Sequence, residues 1–293
     1  MVSFFLQNLN YERRLSKHTF TAYQTDLQQF IDYLEKFYEV KSPEKADFLM
    51  VRSWIVFLVE NNLEKRSVNR KIATLRAFYK FLVKAKKISF DPMLKIRSLK
   101  TDKPLPKYVE EKPLNILLES TEFEDDLFGT RDRLIIELFY ATGIRLAELI
   151  GLEIGDVNLY NNTIKVFGKR SKERIIPLTD HAVELIKKYL GLRTDLFQNP
   201  IHQPFIITDA GDKAYPMFVQ RIVKKYLNLV TSQDKKSPHV LRHSFATHLL
   251  NRGADINAIK DLMGHESLAA TQIYTHNSID KLKKIHKQAH PKA

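Results

Sequence analysis

Six side chains in the second half of the chain have the chemistry needed to hold a phosphodiester and attack it. They lie in YATGIRLAELIGL (140–152), GKRSKER (168–174), SPHVLRHSFATHLL (237–250) and GHESLAATQIYTH (264–276). The candidates are Arg145, Lys169, His239, Arg242, His265 and Tyr274. A guanidinium donates two parallel hydrogen bonds to phosphate oxygens and keeps its charge. A phenol has an ordinary pKa of ~10, so its attack near neutral pH needs nearby positive charge or a base.

The two arginines are predicted close to helix starts. Arg145 follows a break at Thr142-Gly143 and is expected in the first turn of a new helix, where N–H groups and the helix dipole favour an anion. His239 and Arg242 are three residues apart on one predicted helix and therefore share a face. One could hold a phosphate while the other donates a hydrogen bond or moves a proton.

The remaining candidates follow turn signals. Lys169 lies at the tip of a predicted hairpin, where an ammonium could enter a DNA groove and protonate a leaving oxygen. His265 directly follows the helix-stopping Gly264, and Tyr274 comes nine residues later on an amphipathic segment. Each residue alone could equally be a surface or core side chain, and only their joint occurrence favours phosphodiester chemistry.

A metal site is the competing interpretation of the histidines. His239, His243 and His248 lie on one predicted helix, but only the first two have i,i+4 spacing. That helix has no acidic residue, the chain has no cysteine, and no HEXXH motif occurs. The sequence therefore predicts neither a metal nor another cofactor.

The surrounding elements are predicted from hydrophobic periodicity and cap residues. In the first part, helices are expected over 15–38 with Ser16 as N-cap, over 48–59 and over 68–83. In the second part, expected helices cover 131–140, a start near 144, 237–252 and 255–263, with two more capped by Ser267 and Ser278. Strands are expected at 163–167 and 173–178 around a turn. The fold class is mainly α with a small β component.

A change in composition divides the chain. Residues 99–113 contain three prolines and alternating charges, which is typical of a linker. We expect a helical domain over 1–98 and a mixed α+β domain over 114–293.

The net charge of +13 is unevenly distributed. Residues 1–107 carry 21 Lys and Arg against 11 Asp and Glu, and within 65–100 twelve basic residues face one acid. A field of one sign favours polyanion binding, although a solubilising surface is the alternative. The basic residues predicted to bind DNA are Arg66, Arg70, Lys71, Lys80, Arg170 and Lys172.

Several classes of protein are disfavoured. The chain has no run of eighteen apolar residues, so no membrane span is predicted. Its first residues do not have the pattern of a signal peptide. The absence of cysteine excludes disulfides and thiolate zinc sites and is compatible with a reducing, cytoplasmic setting.

The four segments, in this order, resemble the tyrosine recombinase (integrase) family, and the bacterial Xer recombinases within it. The resemblance extends to SKHTFTAYQTDLQQFIDYL near the start and KLKKIHKQAHPKA at the end, and so covers nearly the whole chain. All six candidate positions match. GKRSKER departs from the family pattern at Arg170-Ser171, where glycine and a small polar residue are expected.

The resemblance implies a C-shaped clamp in which a helical, SAM-like core-binding domain and a catalytic domain enclose double-stranded DNA. Tyr274 would form a 3′-phosphotyrosyl link and free a 5′-hydroxyl without ATP or metal. Arg145 and Arg242 would stabilise the developing charge, Lys169 would be the general acid, and the two histidines, His239 and His265, would position the phosphate.

The resemblance further implies a tetramer on two DNA sites, formed by this chain alone or with a paralogous recombinase, and passage through a Holliday junction. The C-terminal helix would exchange between subunits, and a septal DNA translocase could activate the complex. Chromosome-dimer resolution at a dif-like site is the expected role. A mobile-element integrase, a type IB topoisomerase and a non-enzymatic DNA-binding protein are the alternatives.

Overall fold

The computed structural model is mainly helical and divides into two compact units, residues 1–104 and 105–293. It describes residues 1–13, 17–101, 107–119, 122–168, 173–197, 203–264 and 288–290. The predicted fold class is confirmed: the described residues of the first unit form helices without strands, and those of the second form helices and a small sheet. The division lies within the segment predicted as a linker, whereas the domain boundaries at 98 and 114 remain predictions.

The described part of the first unit contains four α-helices: α1 Val2–Arg13, α2 Lys17–Tyr38, α3 Phe48–Glu60 and α4 Lys65–Lys84. The sequence predicted the last three to within a few residues, and the predicted cap Ser16 lies outside the described residues. It did not predict α1, which buries Phe5 and Leu9 on one face.

The core of the first unit confirms the predicted apolar stripe of α4. Val68, Ile72 and Leu75 are fully buried and pack in one cluster with Phe30 and Trp54. Their spacing of three and four residues places them on one side of the helix, so the opposite side faces solvent.

A buried carboxylate ties α2 to α4. Asp26 is fully buried and accepts hydrogen bonds from Lys71 Nζ at 2.8 Å, from Thr74 Oγ1 at 2.9 Å and from Arg70. Since a buried charge without partners is costly, this network supplies the partners that Asp26 needs.

Seven helices lie in the described part of the second unit: α5 Glu111–Glu119, α6 Leu127–Thr142, α7 Leu146–Gly151, α8 Asp180–Leu196, α9 Pro216–Val230, α10 Pro238–Asn251 and α11 Ile256–Met263. Helix α6 is buried along nearly its whole length because α8 and α10 pack against it. The sequence predicted α6, α7, α10 and α11 but not the other three. None of the described helices has the length and hydropathy of a membrane-spanning segment.

A small antiparallel sheet lies beside these helices, with strands β1 Val157–Asn158, β2 Thr163–Phe167 and β3 Glu173–Pro177 in that order. Val166 of β2 pairs with Arg174 of β3, and Ile164 pairs with Ile176. The predicted hairpin is confirmed; β1 was not predicted, and residues 169–172 of the turn lie outside the described part.

A short described segment near the end of the chain, residues 288–290, packs in the second unit. His290 is buried, its Nε2 lies 3.1 Å from the Tyr140 carbonyl oxygen, and its ring lies 5.9 Å from that of Phe245. This short described segment therefore packs on α6 and α10 of its own chain.

Candidate active site

A glycine turn between α6 and α7 positions Arg145. Gly143 ends α6 in the left-handed conformation, with φ of +58°. A Cβ at this position would lie 2.5 Å from the Phe245 ring, so both backbone angle and space require glycine. Arg145 is the N-cap of α7, with extended φ and ψ of −81° and 150°. The expectation that it lies in the first turn is therefore wrong by one position.

The N-terminus of α7 already has an anion. Glu148 Oε2 accepts the backbone N–H of Arg145 at 2.8 Å, and Oε1 accepts from Arg145 Nη1 at 2.7 Å. Glu148 thus satisfies the N–H of the N-cap residue, and the prediction that this helix start favours an external anion stays a prediction. The Arg145 guanidinium reaches further, and its Nη2 donates to the Gly264 carbonyl at 2.6 Å.

Arg242 comes from the inner face of α10 and is only 6% exposed. Its Nη1 donates to the Gly143 carbonyl, and its Nη2 donates to the Met263 carbonyl at 2.5 Å. The structure therefore brings the two predicted arginines to neighbouring carbonyls of one turn, although 97 positions separate them in the sequence.

A third arginine, Arg174 of β3, belongs to the same cluster. Its Nη1 and Nη2 donate to the two Glu148 oxygens at 2.6 and 2.8 Å, and its Nε donates to the Leu262 carbonyl at 3.1 Å. Neither Arg174 nor Glu148 was predicted as a site residue from the sequence. The available signal was a charged residue at an inward position of a strand, opposite Val166.

Three successive carbonyls at the end of α11 each accept from a different arginine. Leu262 accepts from Arg174, Met263 from Arg242, and Gly264 from Arg145. Helix C-termini leave their last carbonyls without intrahelical partners and carry partial negative charge. The end of α11 is therefore the common scaffold of the cluster.

The cluster carries excess positive charge, since three guanidiniums surround one carboxylate. Burial would raise the pKa of Glu148, but the hydrogen bonds and charge of Arg174, together with Arg145, lower it to about 2. Burial and the neighbouring charges of Arg145 and Arg174 lower the pKa of Arg242 to about 10. Glu148 is thus ionised and Arg242 protonated at neutral pH, and the arrangement favours an anion.

The histidines of α10 are in different environments. His239 is the second residue of the helix and is exposed, whereas His248 is buried with Nδ1 3.0 Å from the Tyr140 hydroxyl. His243 lies against the Tyr108 ring, and burial lowers the pKa of its imidazole. Within the described ranges, no group of histidine and carboxylate side chains is arranged to hold a metal ion.

The other predicted site residues of this unit lie outside the described ranges: Lys169, Arg170, Lys172, His265 and Tyr274. Their assignments stay predictions. His265 is nevertheless the residue that follows Gly264, whose carbonyl binds Arg145.

The residues predicted to bind DNA in the first unit divide into two groups. Arg66 and Lys80 are exposed on α4, and the Arg70 side chain is 47% exposed while it pairs with Asp26. Lys71 is 4% exposed, and its ammonium binds Asp26 and Gln29. A buried, paired ammonium cannot reach a phosphate on the surface, so the prediction for Lys71 is corrected to a structural role.

Residues 107–281 match the Phage integrase family, and residues 2–86 match the phage integrase N-terminal SAM-like domain. The chain belongs to the phage integrase family, and it is a site-specific DNA recombinase of the tyrosine type.

Within this family, the chain is similar over its full length to tyrosine recombinases named XerC. Tyrosine recombinase XerC of Chlorobaculum parvum is 38% identical, and the alignment covers 99% of this chain and 94% of that protein. XerC of Syntrophus aciditrophicus is 37% identical, with 100% and 98% covered. Among solved structures, XerA recombinase is 27% identical with a TM-score of 0.50, covering 100% of this chain and 98% of the other. XerH bound to a palindromic difH substrate has a TM-score of 0.72 at 24% identity, covering 97% and 83%.

Proposed function

We propose that this recombinase cuts DNA with Tyr274 and holds the scissile phosphate between Arg145 and Arg242. The observation that carries the proposal is the convergence of these two guanidiniums on the turn at Met263 and Gly264. The chain enters His265 directly from this turn and reaches Tyr274 nine residues later.

The reaction conserves the energy of the phosphodiester bond in a phosphotyrosyl link. The Tyr274 oxygen bonds to phosphorus as the bond to the 5′-oxygen breaks, and the phenolic proton passes to one of the two histidines, His239 or His265. Lys169 gives a proton to the departing 5′-oxygen. In the second step a 5′-hydroxyl gives its proton to Lys169 and attacks the phosphotyrosine, and the histidine returns the proton to the departing phenol. No bond energy is lost, so ATP is not required.

The arginines stabilise the charge that develops on the phosphate. Donors aimed at such charge are worth roughly 3–4 kcal/mol each when they are fixed in advance. Arg145 and Arg242 are held by backbone carbonyls of Gly264, Met263 and Gly143, which provides this preorganisation. His239 and His265 complete the site by positioning the phosphate and assisting proton movement.

The first unit supplies affinity for DNA. The exposed side of α4 presents Arg66, Arg70 and Lys80 in steps that place them on one face. We assign these three side chains to phosphate contacts, and Arg170 and Lys172 to contacts from the hairpin turn. Lys71 is left out because it is buried.

The relatives support a proposal for the biological role. Proteins named XerC match this chain over 99% or more of its length, and the solved XerH complex contains a difH substrate. We infer that this recombinase assembles as a tetramer on two DNA sites in the cytoplasm, alone or with a paralogue. It would resolve chromosome dimers at a dif-like site through a Holliday junction, with a septal translocase as a possible activator.

Footprinting on fragments of the source genome, followed by mapping of cleaved positions, tests this role. The proposal expects one chromosomal site with two inverted half-sites and covalent attachment to the 3′-phosphate at each cut. Cleavage confined to the ends of a mobile element would favour the integrase alternative. Relaxation of supercoiled DNA without site preference would favour the topoisomerase alternative.

A further inference from the structure

Arg174 has no part in the chemistry proposed above, yet it is the most completely bound arginine of the cluster. It is 5% exposed, and three of its nitrogens donate to Glu148 and to the Leu262 carbonyl. Because Glu148 and the Leu262 carbonyl bind its Nε, Nη1 and Nη2, we assign this guanidinium no contact with the phosphate. Its only route to the reaction is through the groups that it holds.

Both partners of the Arg145 guanidinium touch Arg174. Glu148 binds Arg145 with the same carboxylate that Arg174 grips through two parallel bonds. Gly264, whose carbonyl accepts from Arg145, packs directly on Arg174, since a Cβ on this glycine would lie 3.1 Å from Arg174 Cδ. Strand β3 therefore contacts α7 and the end of α11 through one side chain.

We propose that Arg174 is a positioning residue for DNA cleavage, which fixes Glu148 and the turn at Gly264 and thereby fixes the Arg145 guanidinium. This inference rests on the proposed role of Arg145. A planar guanidinium grips both carboxylate oxygens and leaves its Nε for a carbonyl, whereas an ammonium cannot reproduce this geometry. Lysine at position 174 keeps the charge of the cluster but loses the alignment.

The test is single-turnover cleavage of a nicked half-site substrate at saturating protein, with half-site affinity measured separately. Arg174→Lys is expected to cleave about 10- to 100-fold more slowly, the usual effect of a misplaced catalytic group. Its affinity for the half-site is expected to change less than about threefold, because the three nitrogens of Arg174 are bound within the protein. Arg174→Gln is the second variant, in case lysine prevents folding.

Arg193→Lys is the matched control. Arg193 is also buried in the second unit, and it donates to the carbonyls of Pro204 and Phe205 outside the cluster. Both lysine variants are expected to lower the thermal midpoint, but only Arg174→Lys is expected to slow cleavage.

A double-mutant cycle separates positioning from a general structural role. If Arg174 acts through Arg145, then Arg145→Lys combined with Arg174→Lys cleaves within about threefold of Arg145→Lys alone. Independent effects would multiply instead. The inference would be overturned if the two single variants slowed cleavage by factors that multiply in the double variant. Normal cleavage by Arg174→Lys, or failure of both Arg174 variants to fold, would also overturn it. Absence of a covalent adduct with the unmodified protein would instead contradict the proposed function.

Discussion

Glu148 holds the arginine cluster together at the level of single residues. Without it, three buried or half-buried guanidiniums would repel one another at the end of α11. With it, Arg145 and Arg174 share one carboxylate, and the backbone N–H of Arg145 is also satisfied. The remaining positive charge is available for a phosphate.

The depressed pKa of Glu148 has a consequence for acid stability. Its pKa of about 2 in the folded state is below the unfolded value of ~4.3, so its stabilising contribution is present above pH ~4.3 and is lost as pH falls towards 2. Glu148→Gln is therefore expected to be less stable than the unmodified protein at pH 7, and the difference should shrink between pH 5 and 3.

Urea unfolding at several pH values measures this effect. Glu60→Gln removes an exposed carboxylate at the end of α3 and is the control. A stability difference between Glu148→Gln and the unmodified protein that stays constant down to pH 3 would contradict the assignment.

The charge that neutralises the phosphate comes from side chains in the proposed mechanism. In many phosphoryl-transfer enzymes divalent ions supply this positive charge. Here it is supplied by Arg145, Arg242 and Lys169. Cleavage of a nicked substrate is expected to proceed at an undiminished rate in excess EDTA. Loss of cleavage in EDTA with recovery on addition of Mg²⁺ would refute the mechanism, whereas an effect confined to junction isomerisation would not.

The residue types of the site could be predicted from sequence, but their mutual support could not. Arg145 and Arg242 were selected because arginine beside a helix start suits phosphate, and the structure brings both to one turn. Glu148 and Arg174 escaped selection because their pairing joins α7 to β3 across the fold. Such a pair has no periodicity or local spacing that reveals it.

At the scale of elements, the buried apolar face of α4 was predicted correctly, whereas one of its basic residues was wrongly predicted to face DNA. The apolar stripe with steps of three and four residues is buried as expected. Lys71 adjoins that stripe and turns inward to Asp26, 45 positions earlier on α2. Composition identified a basic helix but could not show which lysine meets a buried acid.

This division predicts different results for neighbouring basic residues. Arg66→Ala or Lys80→Ala is expected to reduce the log–log salt dependence of DNA binding by roughly one and to weaken all sequences alike. Lys71→Ala is expected to keep the salt dependence and to lower the free energy of unfolding by about 1–3 kcal/mol, because Asp26 loses a partner.

Filter binding at several salt concentrations, together with urea unfolding, distinguishes the two groups. A reduced salt dependence in Lys71→Ala with normal stability would show that its ammonium reaches DNA. A changed site preference in Arg66→Ala with an intact salt dependence would show that Arg66 reads a base.

Element prediction succeeded where caps and periodicity agreed. Ser237-Pro238 predicts the start of α10. Glycines predict the ends of α10 and α11, and these residues, Gly253 and Gly264, have φ of +82° and +60°. Helices α1, α5, α8 and α9 were not predicted, although each packs an apolar face on its unit. Their assignment depends on tertiary burial more than on a local signal.

At the scale of the whole molecule, the C-terminal segment could pack on its own subunit or on a neighbouring one. Ala289 and His290 are buried on α6 and α10 of their own chain. The apolar stripe predicted at Ile279, Leu282 and Ile285 lies outside the described ranges, and donation of this segment to a neighbouring subunit stays a prediction.

Deletion of residues 278–293 is expected to leave binding to one half-site nearly intact and to abolish synapsis and recombination. His290→Ala is the matched control, since it removes the contacts with Tyr140 and Phe245 but keeps the segment. Gel shifts with one and two half-sites and a junction-resolution assay measure both steps. Normal synapsis by the truncated protein would contradict donation, and lost half-site binding would indicate that the segment serves its own subunit.

The most direct test of the central claim is whether the Tyr274 hydroxyl forms the covalent link to DNA. A nicked suicide substrate incubated with the protein should give an adduct on a denaturing gel, and Tyr274→Phe should bind the same site without forming it. Tyr226→Phe should form the adduct normally, because burial raises the pKa of Tyr226 and its ring stacks on Phe123. An adduct in Tyr274→Phe at the level of the unmodified protein would contradict the account.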